Sequence, residues 1–202
     1  MRLGVFGGSF DPIHRGHVEP VLAARDALGL DRVLYLPTAD PPHKPGRLVT
    51  PAHRRFAMVE LALLAHDDLK VSALELTPGR PAYTVETLER LRRERSGDAL
   101  VLLVGADSFA HLHTWRRWRE LAELAELGVM VRPGWGLDHM PEETPAELRA
   151  LLASPRVTLV EGHPVDLSAT EIRRRLAAGL EPPAGALADL VLAYITKYDL
   201  YR

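Results

Sequence analysis

The sequence predicts an α/β protein built on a doubly wound parallel sheet. Three observations predict it. Short β-rich runs alternate with stretches of helical periodicity along the whole chain, as parallel strands joined by right-handed helical crossovers require. The most apolar run, ALVLLV at 99–104, fits a central strand buried on both faces. The first run, RLGVF, ends in Gly7-Gly8, a strand end where a ligand can come close to the backbone.

Each element has its own signal. Residues 2–6 form the first strand. The segment 15–29 carries Val18, Val21, Leu22 and Leu28 at helical spacing and stops at Gly29, so it reads as a helix. RVLYL at 32–36 is a second strand, ended by Pro37, and a polar, Pro-rich loop follows at 38–47. Thr50 is placed to cap the next helix with Pro51 at its first position. That helix runs to about His66. VSALEL at 71–76 reads as a strand. Thr84 is placed to cap a helix bearing Val85, Leu88 and Leu91 on one face and ending near Gly97. After the strand at 99–104 come a helix at 116–126 and a strand at 127–131. The Gly- and Pro-rich stretch 133–145 is the best candidate for a mobile loop. A helix at 145–153 and a strand at 156–160 follow. Helices near 169–178 and 186–194 make a small C-terminal helical part, about 168–202. No repeat, low-complexity tract or linker interrupts the chain, so a single domain over 1–202 is expected.

Composition narrows the function. A chain of 202 residues, 47% hydrophobic and 26% charged, can bury a core without staples. Lys+Arg (25) nearly cancels Asp+Glu (27), for a net charge of −2. Bulk non-specific nucleic-acid binding needs a basic excess, so any phosphate chemistry must use a local site. The interleaved HTWRRWR at 113–119 resembles a stacking platform, but one short patch is weak support for a nucleic-acid partner. The absence of Cys excludes a disulfide framework, a thiolate metal site and a catalytic thiol. The N-terminal apolar run is too short for a signal peptide and Asp11 interrupts it. No stretch approaches the roughly 18 apolar residues of a membrane span. A soluble, cytoplasmic protein is expected, and homo-oligomerisation is left open.

The chemistry concentrates after the first strand, in Gly7-Gly8-Ser9-Phe10-Asp11-Pro12-Ile13-His14-Arg15-Gly16-His17. This is neither the dinucleotide fingerprint nor a Walker A loop. A helix starting near Arg15 would point free N–H groups at the strand end, which favours anions. His14 and His17 could bind a metal, but they lack a clear third ligand. They could instead donate hydrogen bonds to a polyphosphate, or be two unrelated surface histidines.

GGSFDPIHRGH resembles the G-G-x-F-D-P-x-H-x-G-H signature of the nucleotidyltransferase superfamily with the [HT]-x-G-H motif. The run Ser168-Ala169-Thr170-Glu171-Ile172-Arg173 is similar to that superfamily's C-terminal [ST]-[ST]-x-x-R-like run. Ser168 with Glu171 also has the pattern of a helix capping box. Between these ends stand Pro41-Pro42-His43-Lys44, Tyr83-Thr84, Gly105-Ala106-Asp107-Ser108, Thr114-Trp115 and Arg132-Pro133-Gly134. In this order they resemble the bacterial nicotinate mononucleotide adenylyltransferase family across essentially the whole chain.

The resemblance implies a Rossmann-like nucleotidyltransferase fold and transfer of the AMP part of ATP to nicotinate mononucleotide, with release of pyrophosphate. It implies that Gly7, Gly8, His14 and His17, with Ser9 and Phe10 in the same loop, hold ATP. Gly16 would let the adenosine lie against the helix start. Ser168, Thr170 and Arg173 would grip the β- and γ-phosphates, and His14, His17 and Arg173 would carry the catalysis. Asp107 would accept from a sugar hydroxyl, unless it is a helix N-cap. Trp115 would stack on the pyridine ring, whereas Trp118 fits an amphipathic helix face. Backbone N–H groups near Thr84-Val85 and Trp115-Arg116 would meet the substrate carboxylate. His43 and Lys44 would reach the mononucleotide phosphate, unless they belong to an ordinary solvated loop, and Arg132 would join the acceptor site. There is no dedicated metal cage, so Mg²⁺ would come with ATP, held by phosphates and water. The rival readings are a related transferase acting on nicotinamide mononucleotide or phosphopantetheine, and a catalytically dead nucleotide sensor. The intact His14, His17 and Arg173 argue against the sensor.

Overall fold

The computed structural model describes residues 1–39, 49–77, 79, 82–131, 135–162 and 165–202. The chain runs β1 (Arg2–Gly8), α1 (Arg15–Leu28), β2 (Arg32–Pro37), α2 (Ala52–Leu63), β3 (Leu69–Val71), α3 (Thr84–Glu94), β4 (Ala99–Gly105) and α4 (Ala106–Ala110). It continues with α5 (Trp118–Leu124), β5 (Glu126–Val131), α6 (Ala146–Leu152), β6 (Val157–Glu161), α7 (Ala169–Ala177) and α8 (Asp189–Lys197). Single 3₁₀ turns lie at Leu112–Thr114 and Leu137–His139.

The strands form one sheet in the order β3-β2-β1-β4-β5-β6, and every pairing is parallel. Side chains of a strand alternate between faces, and β4 shows both faces buried. Leu100, Leu102 and Val104 pack on one side with Val85, Leu88 and Leu91 of α3 and Trp118 and Leu121 of α5. Val101 and Leu103 pack on the other with Val21 and Ala24 of α1, Met58 and Val59 of α2, Ile172 of α7 and Val191 and Ile195 of α8. This is the doubly wound α/β architecture that the alternating pattern predicts.

The order places β1 beside β4, so the chain winds outward in both directions from that pair. The carboxyl ends of strands flanking such a switch diverge and leave a crevice. Gly7-Gly8 ends β1 and Gly105 ends β4, so the glycines noted in the sequence stand at its mouth.

Several boundaries differ from expectation. VSALEL does not form a strand over 71–76. The edge strand stops at Val71, after pairing Leu69, Lys70 and Val71 with β2. Leu74 and Glu75 lie in a turn, and the Leu76 N–H donates to the Ala73 carbonyl. The chain leaves the sheet because Glu75 reaches Thr38 and Thr87 instead. Thr84 is the first residue of α3, and Tyr83 occupies the capping position. Likewise Pro51, not Thr50, precedes the first turn of α2. The helix expected at 116–126 is shorter, because Arg117 sits in the left-handed region at φ 52° and α5 begins only at Trp118. The stretch 133–145 contains the 3₁₀ turn, within which the His139 N–H donates to the Gly136 carbonyl.

Candidate active site

The loop from Ser9 to His14 is held from behind by buried groups. Phe10 adopts φ 47°, and its ring is buried against Phe6, Tyr35 and His17. A Cβ on Gly8 would lie 2.9 Å from that ring, so only glycine lets β1 end directly over Phe10. The Asp11-Pro12 peptide is cis. The buried Asp11 carboxylate accepts from the Tyr201 hydroxyl at 2.7 Å.

The two motif histidines take different stations. The His14 N–H donates to His17 Nδ1 at 3.2 Å, so a neutral His17 ring carries its proton on Nε2. The ring also meets Phe10 edge-on at 5.3 Å, and the Tyr35 hydroxyl donates to the His17 carbonyl at 3.0 Å. His14 lies against His17 with ring centroids 3.8 Å apart. It is 7% exposed, and its Nδ1 is buried without a hydrogen-bond partner. Burial pulls its pKa down to about 4, so the ring is neutral at pH 7. A Cβ on Gly16 would come within 3.1 Å of His14 ring atoms and 3.5 Å of Val165. Glycine there keeps the helix start open and the two rings in register.

A cleft of about 1670 Å³ opens over the carboxyl ends of β1 and β4. Gly7, Gly8, Ser9, Phe10, Gly16 and His17 line one side, and Thr84, Asp107, Trp115 and Arg116 line another. Sites for one small molecule usually span about 300–1,000 Å³, so this cleft has room for two nucleotide-sized ligands.

The remaining expected residues fall elsewhere. His14, Ser168, Thr170 and Arg173 are not part of the cleft wall, and Gly162 and Val165 line it on the α7 side. Arg173 nevertheless brings α7 to the β1–α1 loop. One guanidinium nitrogen donates to the Asp11 carbonyl at 2.6 Å and another to Thr170 Oγ1 at 3.1 Å. The Arg15 N–H also donates to the Ala186 carbonyl at 2.9 Å. Ser168 and Thr170 are exposed. The Ser168–Glu171 capping box does not form, since Ser168 makes no side-chain cap bond and Glu171 instead pairs twice with Arg174 at 2.7–2.8 Å.

Asp107 is exposed at the cleft, in the first turn of α4, and Gly105 takes the N-cap position. The alternative of Asp107 as an N-cap is therefore removed. Val85 points its side chain into the core with no exposure, which leaves its amide as the group that can face a ligand. The amides of Thr84 and Val85 start a helix and have no acceptor within it. The Trp115 N–H is already donated to the Leu112 carbonyl at 2.9 Å, so that amide does not meet the expectation for a substrate carboxylate. Trp115 is partly buried against the core, and Trp118 is buried within it. The Arg116 guanidinium lies 4.6 Å above the Tyr83 ring and 3.5 Å from Glu86. His43, Lys44 and Arg132 lie outside the described residues.

Sequence reasoning missed Arg55. It is 1% exposed and donates to the carbonyls of Thr50, Ser9, Thr38 and Ala39 at 2.6–3.0 Å. It thereby joins the loops after β1 and β2. Its signal was present, because Arg55 shares the helical face of Met58, Val59 and Leu63, where a charge must be paired. Trp135, Tyr83, Thr87 and Glu75 also line the cleft and were not singled out as site residues, except Tyr83 through its motif.

Among the described residues no group of three or more His, Asp or Glu side chains could hold a metal ion, and no helix is long and apolar enough to cross a membrane.

Residues 5–175 match the model of the cytidylyltransferase-like family. The chain belongs to that family of nucleotidyltransferases. It is 42% identical over 201 residues to a protein of Thermomicrobium roseum named "Probable nicotinate-nucleotide adenylyltransferase", covering all of this chain and 92% of the relative. A protein of the same name from Chromobacterium violaceum is 43% identical over 211 residues, covering 100% and 99%. Within the class, the chain belongs to the nicotinate-nucleotide adenylyltransferases. The fold is similar to that of the Plasmodium falciparum nicotinic acid mononucleotide adenylyltransferase solved with NaAD, with a TM-score of 0.77, 19% identity and coverage of 99% and 97%.

Proposed function

We propose that this protein transfers the AMP moiety of ATP to nicotinate mononucleotide, forming nicotinate adenine dinucleotide, a precursor of NAD, and releasing pyrophosphate. One observation carries the reading. A single cleft has the Gly7-Gly8 loop and His17 on one wall and Thr84, Trp115 and Arg116 on another. The first wall suits a polyphosphate and the second suits a flat, acidic ring. Family membership and relatives of that name support it.

The chemistry asks for alignment. An oxygen of the mononucleotide phosphate attacks the α-phosphorus of ATP in line. That P–O bond forms as the bond to the bridging oxygen of the β-phosphate breaks, and pyrophosphate departs with the electron pair. The phosphate oxygen is already ionised at neutral pH, so no base is required. The protein contributes positioning and charge stabilisation. In this reading His17 donates from Nε2 to the ATP phosphates, and His14 fixes that tautomer through its amide. Gly7, Gly8, Ser9, Phe10 and Gly16 shape the seat for ATP. Arg173, with Ser168 and Thr170, stands beside it to meet the β- and γ-phosphates. Asp107 accepts from a ribose hydroxyl. Trp115 stacks on the pyridine, and the amides of Thr84, Val85 and Arg116 meet its carboxylate. His43, Lys44 and Arg132 complete the acceptor side.

Mg²⁺ enters as part of the MgATP substrate, held by phosphate and water as this ion usually is. Among the described residues that line the cleft, Asp107 is the exposed carboxylate. A cytoplasmic location goes with this reading, where ATP is plentiful.

The test is to supply MgATP with nicotinate mononucleotide, nicotinamide mononucleotide or phosphopantetheine in turn and follow pyrophosphate release. Release is expected to be fastest with the nicotinate compound. No release above the ATP-only background with that compound overturns the reading.

A further inference from the structure

Glu75 is a carboxylate on the cleft wall that the transfer chemistry does not use. We propose that Glu75 is a positioning residue for the acceptor half of the cleft, tying the start of α3 to the end of β2 through the hydroxyls of Thr87 and Thr38. The proposal rests on the adenylyl-transfer reading.

Its Oε1 accepts from Thr87 Oγ1 at 2.7 Å, and its Oε2 accepts from Thr38 Oγ1 at 3.0 Å. Its carbonyl accepts from the Ala39 N–H at 2.9 Å. Both threonines are buried. Among the described residues no cation pairs with Glu75, and burial pushes its pKa above the ordinary glutamate value. A carboxylate in such a place costs desolvation that an apolar side chain would not. What it supplies in return is two directed acceptors, one for each of two elements.

Thr87 lies on α3 three residues beyond Thr84, close to one helical turn on. Holding Thr87 therefore fixes where the Thr84 and Val85 amides stand. On the other side, the carbonyls of Thr38 and Ala39 accept from Arg55, which also donates to Ser9. The Thr87–Glu75–Thr38 clasp thus anchors the acceptor wall to the same frame that holds the β1–α1 loop. Arg55 holds Ser9 directly, so the ATP side does not depend on Glu75.

Steady-state kinetics on the full chain, varying each substrate, test this. Wild-type turnover with nicotinate mononucleotide is measured first, and its absence defeats the parent reading independently of the clasp. Glu75→Ala is expected to raise KM for nicotinate mononucleotide by roughly tenfold with KM for ATP nearly unchanged, the scale of a small misplacement of a positioned reactant. Glu75→Gln should recover most of that loss, because its amide oxygen accepts from one threonine and its NH₂ donates to the other hydroxyl once rotated. Thr87→Val breaks one arm and should shift the same KM in the same direction, which decides the matter should Glu75→Ala not fold. A lower Tm with both KM values unchanged would reduce Glu75 to a structural role and overturn the proposal. An equal rise in KM for ATP would overturn it too.

Discussion

The Tyr201 hydroxyl donates to the Asp11 carboxylate across 190 residues of sequence. Arg173 reaches the carbonyl of the same aspartate. Asp11 is thus one point where the C-terminal helical part is fastened to the loop after β1, beside the bond from the Arg15 N–H to the Ala186 carbonyl. Burial and the Asp11 charge push the Tyr201 pKa well above the ordinary phenol range, so it remains a donor at neutral pH. Tyr201→Phe removes the donor and leaves a buried carboxylate short of a partner. The expected cost is about 1–3 kcal/mol, read as a Tm lower by several degrees. A Tm equal to wild type would show that the fastening contributes nothing.

His17 carries the sharpest expectation for activity. It alone of the two motif histidines lines the cleft, with its tautomer set by the His14 amide. His17→Ala should lower kcat/KM by at least ~10²-fold, the scale of losing one preorganised donor. Near-normal turnover in a folded His17→Ala protein would remove it from the phosphate site.

His14 predicts a pH dependence of stability. Its folded pKa, about 4, lies below the ordinary value of 6.5. Above 6.5 the ring is neutral in both states and contributes no pH dependence. As pH falls from 6.5 towards 4, the unfolded chain takes up the proton first, so the folded state loses stability. By pH 5 that loss is about 2 kcal/mol. Denaturant unfolding of wild type and His14→Asn at pH 7 and pH 5 isolates it from the other histidines. The variant should lose less on acidification, and equal losses would refute the assignment.

Trp115 tests the acceptor wall. A stacked base or ring on an aromatic side chain contributes about 1–3 kcal/mol. Trp115→Ala should therefore raise KM for nicotinate mononucleotide roughly tenfold while sparing ATP. Should ATP affinity alone fall, the pyridine site lies elsewhere.

Much of this molecule was legible before its structure. Alternation of strands and helices, and a β4 apolar on both faces, required parallel pairing and two helical layers. The glycine-rich run after β1 marked one wall of the cleft, and Trp115 marked another. Where local signals competed with distant partners, the sequence misled. Ser168 and Glu171 have the pattern of a capping box, yet Glu171 pairs with Arg174. VSALEL reads as a strand by its apolar content, yet Glu75 lies in a turn and bonds to Thr87 and Thr38.

By itself the sequence determined the layers of the fold and the glycine- and histidine-rich character of the loop after β1, because periodicity and residue type act over a few neighbours. Tertiary structure alone decided which side chains face the cleft. It buried His14 behind His17 and aimed Arg55 at four carbonyls from three stretches of chain. Those choices turn on how residues far apart in the sequence satisfy one another's polar groups once water is excluded.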